Sequence, residues 1–341
     1  MNVQIDYPTK LESALARPTP DGPLVIDLFA GCGGLSLGFE ARGFRTLGFE
    51  MEPECAATYR SQLAGDCITT RLTTTSELPE TEVLIGGPPC QPFSVGGDQR
   101  GENDDRNGLP AFAAAVARLR PRIFLFENVR GVMYRNRDYF DSFLEGLRQL
   151  GYVVDARLLN AVDYGVPQNR ERVIAVGHSG GFRFPAKHSR RVTAGEALGS
   201  LAIANPPEAK YLTPSMDAYV KRYEVASKCI RPRDLDMARP ARTLTCRNLA
   251  GATGDMQRIA IPDGRRRRLT EREAARLQSF PDWFSFSGGE TSRFNQIGNA
   301  VPPLFAYELA GAVNDYLELD DEGRTRIRES SGGRQAVLPL A

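Results

Sequence analysis

The sequence predicts an α/β protein: a parallel sheet flanked by helices, with a second, smaller and irregular domain. Three observations predict it. From residue 24, short apolar runs alternate with longer amphipathic ones, as strands alternate with crossover helices. After Gly180 that alternation fades into a stretch rich in Arg, Pro, Thr and Gly, the composition of binding loops. At 341 residues the chain also exceeds the usual size of one compact domain.

The runs 24–29, 45–50, 82–86, 122–127, 152–159 and 172–177 read as strands, and 35–42, 53–63, 109–119 and 138–150 read as helices between them. Thr270 and Glu273 form a capping box at the start of a helix that Pro281 closes. An apolar helix at about 303–318 needs a partner, most economically the first sheet. The large domain is therefore expected to be discontinuous, 24–183 with 290–319, and 184–289 to form the second domain and its hinge. Residues 1–23 read as an N-terminal extension and 320–341 as a mobile polar tail.

A composition of 41% hydrophobic and 25% charged residues is that of a soluble globular protein, and no apolar run approaches the roughly 18 residues of a membrane span. The first twenty residues lack a basic stretch followed by an apolar core, so the expected location is cytoplasmic. Six cysteines, far apart and without CxxC or Cys/His pairing, argue against disulfides and structural metal. The net charge of +1 hides an asymmetry: residues 182 to 276 hold 20 Lys+Arg against 10 Asp+Glu, leaving 23 against 32 elsewhere. A basic lobe of this kind is the footprint of nucleic-acid binding, although a solvated Arg-rich surface has the same composition.

Three groups of residues carry chemistry. In DLFAGCGGLSLGFE (27–40) a strand runs through Gly31, Gly33 and Gly34 into a helix, so backbone N–H groups can approach a ligand. The spacing is not GxGxxG, but Glu50, 23 positions after Asp27 and at the end of the next strand, stands where an acidic residue bonds ribose hydroxyls. A nucleoside ligand is the better reading, with Phe29 offering an aromatic face. In GGPPCQPFS (86–94) three prolines frame Cys90 at the carboxyl end of a strand, a rigid setting that a structural cysteine does not need. ENVRG (127–131) puts Glu127 on the same rim, and QNRERV (168–173) sets Arg170 and Arg172 at alternating positions entering a strand.

A thiol, a carboxylate and a guanidinium beside a nucleoside pocket are what methylation of cytosine carbon 5 requires. That carbon is too weak a nucleophile until a thiolate adds at carbon 6, and the addition is eased when a carboxylic acid engages ring N3.

With RLTEREAARLQSFP (268–281) and QIGNAVPP (296–303) following in order, the chain resembles the bacterial DNA cytosine-5 methyltransferase family over about residues 24 to 318. The resemblance implies a Rossmann-like S-adenosylmethionine-dependent methyltransferase sheet with a smaller target-recognition domain. It implies Cys90 as nucleophile, Glu127 as acid at N3, and Arg170 and Arg172 in support. Phe29, Glu50, Asp66, Pro89 and Asn299 would line the cofactor site, with Ala30, Gly31, Gly33, Gly34, Leu35, Met51, Cys67 and Ala300 as their neighbours. Double-stranded DNA is the implied partner, its target cytosine flipped into the pocket. Arg242, Thr243 and Arg247, in the ARPARTLTCR segment, are assigned to base reading, and Arg265, Arg266, Arg267 and Arg268 to phosphates. The resemblance further suggests a monomeric modification enzyme working beside a cognate restriction endonuclease or a phage-defence system. A tRNA cytosine methyltransferase, a catalytically dead DNA-binding regulator and a nicotinamide-dependent oxidoreductase are the competing classes. The dead regulator would be expected to lose Cys90, Glu127 or Asn299, and the oxidoreductase leaves the PPC loop unexplained.

Overall fold

A computed structural model describes residues 6–17, 19–89, 107–134, 137–226, 234–250 and 256–319. Its centre is a seven-stranded sheet. The strands are β1 (Leu24–Leu28), β2 (Arg45–Glu50), β3 (Asp66–Thr69), β4 (Val83–Gly86), β5 (Ile123–Val129), β6 (Val153–Asn160) and, after the two-residue β7 (Gln168–Asn169), β8 (Glu171–His178). The order is β3-β2-β1-β4-β5-β8-β6. Because the chain runs outward on both sides of β1 and β4, a crevice opens at the carboxyl ends of those two strands, where α/β sheets bind ligands.

Both faces of the sheet are buried, which is why its strands read as apolar runs. Val25, Val83, Ile85, Ile123, Leu125, Ile174 and Val176 enter one core, and Ile26, Leu28, Leu84, Phe124, Phe126, Val173 and Ala175 enter the other. Alternate residues of each strand thus serve opposite layers.

Two strand assignments differ from the sequence reading. β3 was not anticipated, because its four residues carry no apolar run. β8 is antiparallel to both β5 and β6, so the sheet is not wholly parallel. The ten residues between Asn160 and Glu171 are too few for the dozen or more that a parallel crossover needs, and the chain must return antiparallel.

The helices are α1 (Tyr7–Ala14), α2 (Gly34–Glu40), α3 (Pro53–Gln62), α4 (Leu109–Leu119), α5 (Arg137–Gln149), α6 (Ala194–Leu198), α7 (Pro214–Ala226), α8 (Cys246–Ala250), α9 (Glu271–Leu277), α10 (Glu290–Asn299) and α11 (Pro303–Leu317). The predicted apolar helix is α11, and it packs on α2 in the same core as β1 and β4. Contact is close because Gly38 faces it: a Cβ there would lie 2.4 Å from the Tyr307 backbone nitrogen. The capping box at Thr270 and Glu273 is present at the start of α9. Within the expected extension, α1 docks through Leu15, whose carbonyl accepts from Trp283 Nε1 at 3.1 Å. The expected mobile tail at 320–341 lies outside the described residues.

Between β8 and α9 the chain is irregular but not unstructured. The hairpin β10 (Arg258–Ala260) and β11 (Arg266–Arg268) is tied to α7 by a cluster of charges. Arg258 reaches Asp234 at 2.6 Å and Glu224 at 2.9 Å, and Arg266 reaches Asp217 at 2.5 Å and Asp234 at 3.3 Å. The two-residue β9 (Ala241–Arg242) pairs in parallel with β7 in a small sheet of their own and so attaches this region to the segment that enters β8.

Candidate active site

The Gly-rich turn follows β1 directly. Phe29 takes φ +60°, a left-handed conformation that side chains rarely adopt, and Gly31 and Gly33 follow at φ +56° and +87°. Glu50 holds the turn: its carboxylate accepts the Gly31 N–H at 2.8 Å through Oε2 and the Glu52 N–H at 2.8 Å through Oε1. A Cβ on Gly31 would meet nothing within 4 Å, so the turn presents open space to a ligand. Gly34 has a different task from the turn glycines. Its Cβ position lies 2.4 Å from the Val301 carbonyl oxygen, which makes it a packing glycine where α2 meets residues 300–301.

Beneath the turn, Asp27 is buried and accepts from Ser36 Oγ at 2.7 Å. Burial, with the nearby Glu50 charge adding a smaller contribution, pushes its carboxyl up to about 7. The Tyr59 hydroxyl lies 2.9 Å from Ser36 Oγ and 2.7 Å from Thr46 Oγ1, and Thr46 donates to Glu40, so a buried polar network extends under the turn.

Met51 and Ile68 are each 44% exposed, at the ends of β2 and β3. Ile68 stands beside Phe49 in register. Met51 follows Glu50 directly, and an exposed apolar side chain after that carboxylate suits a nucleoside, with the carboxylate toward the ribose and the aliphatic side chain toward the base. Asp66 is exposed and close by, whereas Leu35 and Cys67 are core residues and Ala30 is buried in the turn.

The loop after β4 is held at three points. Gly87 N–H donates to the Leu28 carbonyl at 3.1 Å, Gly108 N–H to the Pro89 carbonyl at 2.9 Å, and the buried Asn128 Nδ2 to the Pro88 carbonyl at 3.1 Å. Cys90 itself lies outside the described residues. The loop leads to it from beside Glu127, whose Oε2 would be 3.9 Å from a Cβ on Gly87. Glu127 Oε1 in turn lies 2.5 Å from Arg172 Nε, and both side chains are nearly buried. Register explains the pair: Glu127 faces Ile174 and Arg172 faces Val129, so the two stand diagonally on one face of β5 and β8.

Burial pushes the thiols of Cys32, Cys55, Cys67 and Cys246 up, so none of these four is a ready thiolate. No metal-ligating cluster and no helix long and apolar enough to cross a membrane occur among the described residues.

Several predicted site residues have other work. Arg170 makes no contact with Glu127. Its buried guanidinium donates to the carbonyls of Leu244, Gly298 and Ala300. Arg267 is fully buried and bidentate with Glu273 at 2.7 and 2.8 Å, so it is not available to a phosphate. Arg266 belongs to the α7 cluster, and Arg268 donates to the carbonyls of Leu249 and Ala250. Of the four arginines only Arg265 is exposed, paired with Asp263 and stacked 4.3 Å over Tyr211. Arg242 and Arg247 are exposed, Thr243 is half-buried, and Asn299 is exposed at the end of α10.

A strand order reversing at β1 and β4, a glycine turn under an acidic strand end, and a carboxylate–guanidinium pair beside a proline-framed loop together define a nucleoside-cofactor enzyme of the methyltransferase type. The family profile of C-5 cytosine-specific DNA methylases matches residues 24–315. The Type II methyltransferase M.AplI of Arthrospira platensis is 55% identical over 93% of each chain, and M1.HphI of Haemophilus parahaemolyticus is 35% identical over 84% of this chain and 86% of its own. Among solved structures, a DNA modification methyltransferase encoded in an E. coli prophage superposes with TM-score 0.64 at 24% identity, covering 87% of this chain and all of that one. A Spodoptera frugiperda DNMT2 variant superposes with TM-score 0.68 at 16% identity over 86% of this chain and 100% of its own, a likeness of fold alone. The chain belongs to the C-5 cytosine-specific DNA methylase family, as a DNA cytosine-5 methyltransferase of the bacterial restriction-modification type. Membership implies S-adenosylmethionine as methyl donor, and the Glu50-braced turn with its apolar neighbours fits a nucleoside of that kind.

Proposed function

We propose that the protein methylates carbon 5 of a cytosine within a short specific sequence of double-stranded DNA, through a covalent bond between Cys90 and carbon 6 of a flipped base. The observation that carries this reading is the Glu127–Arg172 pair on the rim that the Cys90 loop leaves. Glu50, Phe29, Met51 and Asp66 would hold S-adenosylmethionine, which when bound supplies an electrophilic methyl group. Asn299 would close the pocket from α10.

Cys90 adds as thiolate to carbon 6, and the ring electrons displaced toward N3 take up a proton from Glu127. Arg172 fixes the Glu127 carboxyl and balances its charge once that proton has left. After carbon 5 is methylated, water takes its proton, and the electrons of that bond form the carbon 5–carbon 6 double bond, expel the Cys90 thiolate and let N3 give its proton back to Glu127. Residues 24–183 with 290–319 serve as the catalytic unit and 184–289 as target recognition and hinge. Exposed Arg242, Arg247 and Arg265 contact DNA together with Thr243. The enzyme acts as a cytoplasmic monomer that protects host DNA from a cognate restriction endonuclease or as part of phage defence.

Bisulfite sequencing of DNA from a host expressing the protein should give one methylated sequence context. On a duplex carrying 5-fluorocytosine at that position the wild-type enzyme should form an adduct that survives denaturation, requires S-adenosylmethionine and is absent in Cys90→Ala. Methylation of the ordinary site without adduct on the fluorinated one would falsify the covalent route.

A further inference from the structure

The segment 241–246 enters the recognition region and is held at Ala241, Thr243 and Leu244 by the run 167–170. The Ala241 N–H donates to the Pro167 carbonyl at 2.8 Å, and Thr243 Oγ1 donates to the Asn169 carbonyl at 2.6 Å. Leu244 is gripped from both sides: its N–H donates to Gln168 Oε1 at 2.8 Å, and its carbonyl accepts from Arg170 Nη1 at 2.8 Å. Gln168 is fully buried, and its Nε2 donates onward to the Leu277 carbonyl at 3.2 Å and to Gln278 Oε1 at 2.5 Å. Gln278 donates to the Ala300 carbonyl at 2.7 Å, the same oxygen that accepts from Arg170 Nη2 at 3.0 Å.

These side chains therefore join three remote segments: the recognition loop at 244, the end of α9 at 277–278 and the end of α10 at 298–300. The last abuts the cofactor turn through Gly34. Two residues beyond Arg170, Arg172 turns to Glu127. Burying a guanidinium and two carboxamides is costly unless their polar atoms are paired, and here all but Arg170 Nε are, so losing one contact strands others and partial opening is disfavoured.

Resting on the proposed activity, we propose that Gln168 and Arg170 are positioning residues: a clamp that fixes the base-reading segment 241–247 relative to the Glu127–Arg172 pair. Selection of the target and activation of the cytosine are set in register by alternate residues of one strand entrance.

Hydrogen exchange on the free full-length protein tests whether the clamp exists, and needs no DNA. In Gln168→Met, peptides covering 241–248 should exchange at least tenfold faster, while those covering β5 and β8 stay unchanged. Uniform acceleration, or none, overturns the clamp. Its role is tested by kcat/KM on a duplex holding the site found by bisulfite sequencing, against duplexes with one base pair changed. Gln168→Met and Arg170→Met should lower that ratio about tenfold or more while S-adenosylhomocysteine binding without DNA stays within about twofold, and Arg170→Lys should recover part of the ratio. An unchanged ratio in folded variants, or loss of S-adenosylhomocysteine binding in step with activity, overturns the role. Absence of any methylated site would instead overturn the proposed activity and leave the exchange result standing.

Discussion

Glu127 and Asp27 are both carboxyls at the carboxyl-terminal side of the sheet, and their surroundings divide their work. Glu127 is diagonal to Arg172 and opens toward the loop leading to Cys90. Glu127→Gln keeps the shape but cannot deliver a proton, so single-turnover methylation should slow by about 10²–10⁴-fold with DNA affinity little changed. A rate within a few-fold of wild type would reassign the residue to structure. Asp27 instead sits under the cofactor turn, where burial pushes its carboxyl up to about 7 against 3.8 for an ordinary aspartate. Between those values the folded protein keeps a proton that the unfolded chain loses, so stability falls as pH rises from about 4 to 7 and levels off above. In Asp27→Asn this component should vanish. Melting profiles of the two proteins that run parallel from pH 4 to 8 would show that Asp27 is ionised after all. The Glu127 carboxylate was legible in its ENVRG motif, whereas its diagonal pairing with Arg172 and the burial of Asp27 were not, since both depend on neighbours remote along the chain.

At the scale of elements, the α2–α11 contact shows how a motif read for ligand binding also builds the fold. Gly31 and Gly33 bend the turn, but Gly34 and Gly38 allow a helix from the far end of the chain to lie against α2. Gly38→Ala should cost about 1–3 kcal/mol in urea unfolding, because the added methyl meets backbone that cannot yield. A loss below about 0.5 kcal/mol would mean that α11 shifts freely. The β10–β11 hairpin makes the complementary point. Its RRRR run looks like a phosphate grip in one dimension, whereas strand alternation turns Arg267 inward to Glu273 and leaves its neighbours to other partners. Arg267→Gln should therefore lower stability by about 3–5 kcal/mol, the usual cost of leaving one member of a buried pair alone. An unchanged melting temperature combined with weaker DNA binding would restore the phosphate reading.

At the scale of the whole molecule, the basic region at 182–276 is less cationic to an approaching duplex than its composition suggests. Arg190, Arg191, Lys210, Lys221, Arg239, Arg258, Arg266, Arg267 and Arg276 each pair with a carboxylate, several of them on elements outside the region. Arg247 is exposed and forms no ion pair with a described residue, and we propose that cations of this kind carry the attraction to DNA. Arg247→Gln should reduce the salt dependence of binding by about one counterion, a change of about 0.9 in the log–log slope, whereas Arg276→Gln should leave the slope unchanged. Equal effects of the two would show that ion pairing does not decide which cations meet DNA.

The sequence by itself determined the class of this protein. Alternating apolar runs announce an α/β sheet, and the motifs DLFAGCGG, GGPPC, ENV and QNRER fall at strand ends, where such a sheet gathers its chemistry. That much is local, because period, turn residues and strand ends are written in neighbouring positions. The tertiary structure alone decided which way β8 runs, that Gly34 packs rather than bends, that Arg170 donates to the carbonyls of Leu244, Gly298 and Ala300, and that Arg172 pairs with Glu127. Each of those depends on a partner tens to hundreds of residues away. Side chains of one type become structural or chemical according to what the fold sets opposite them, and no spacing along the chain records that pairing.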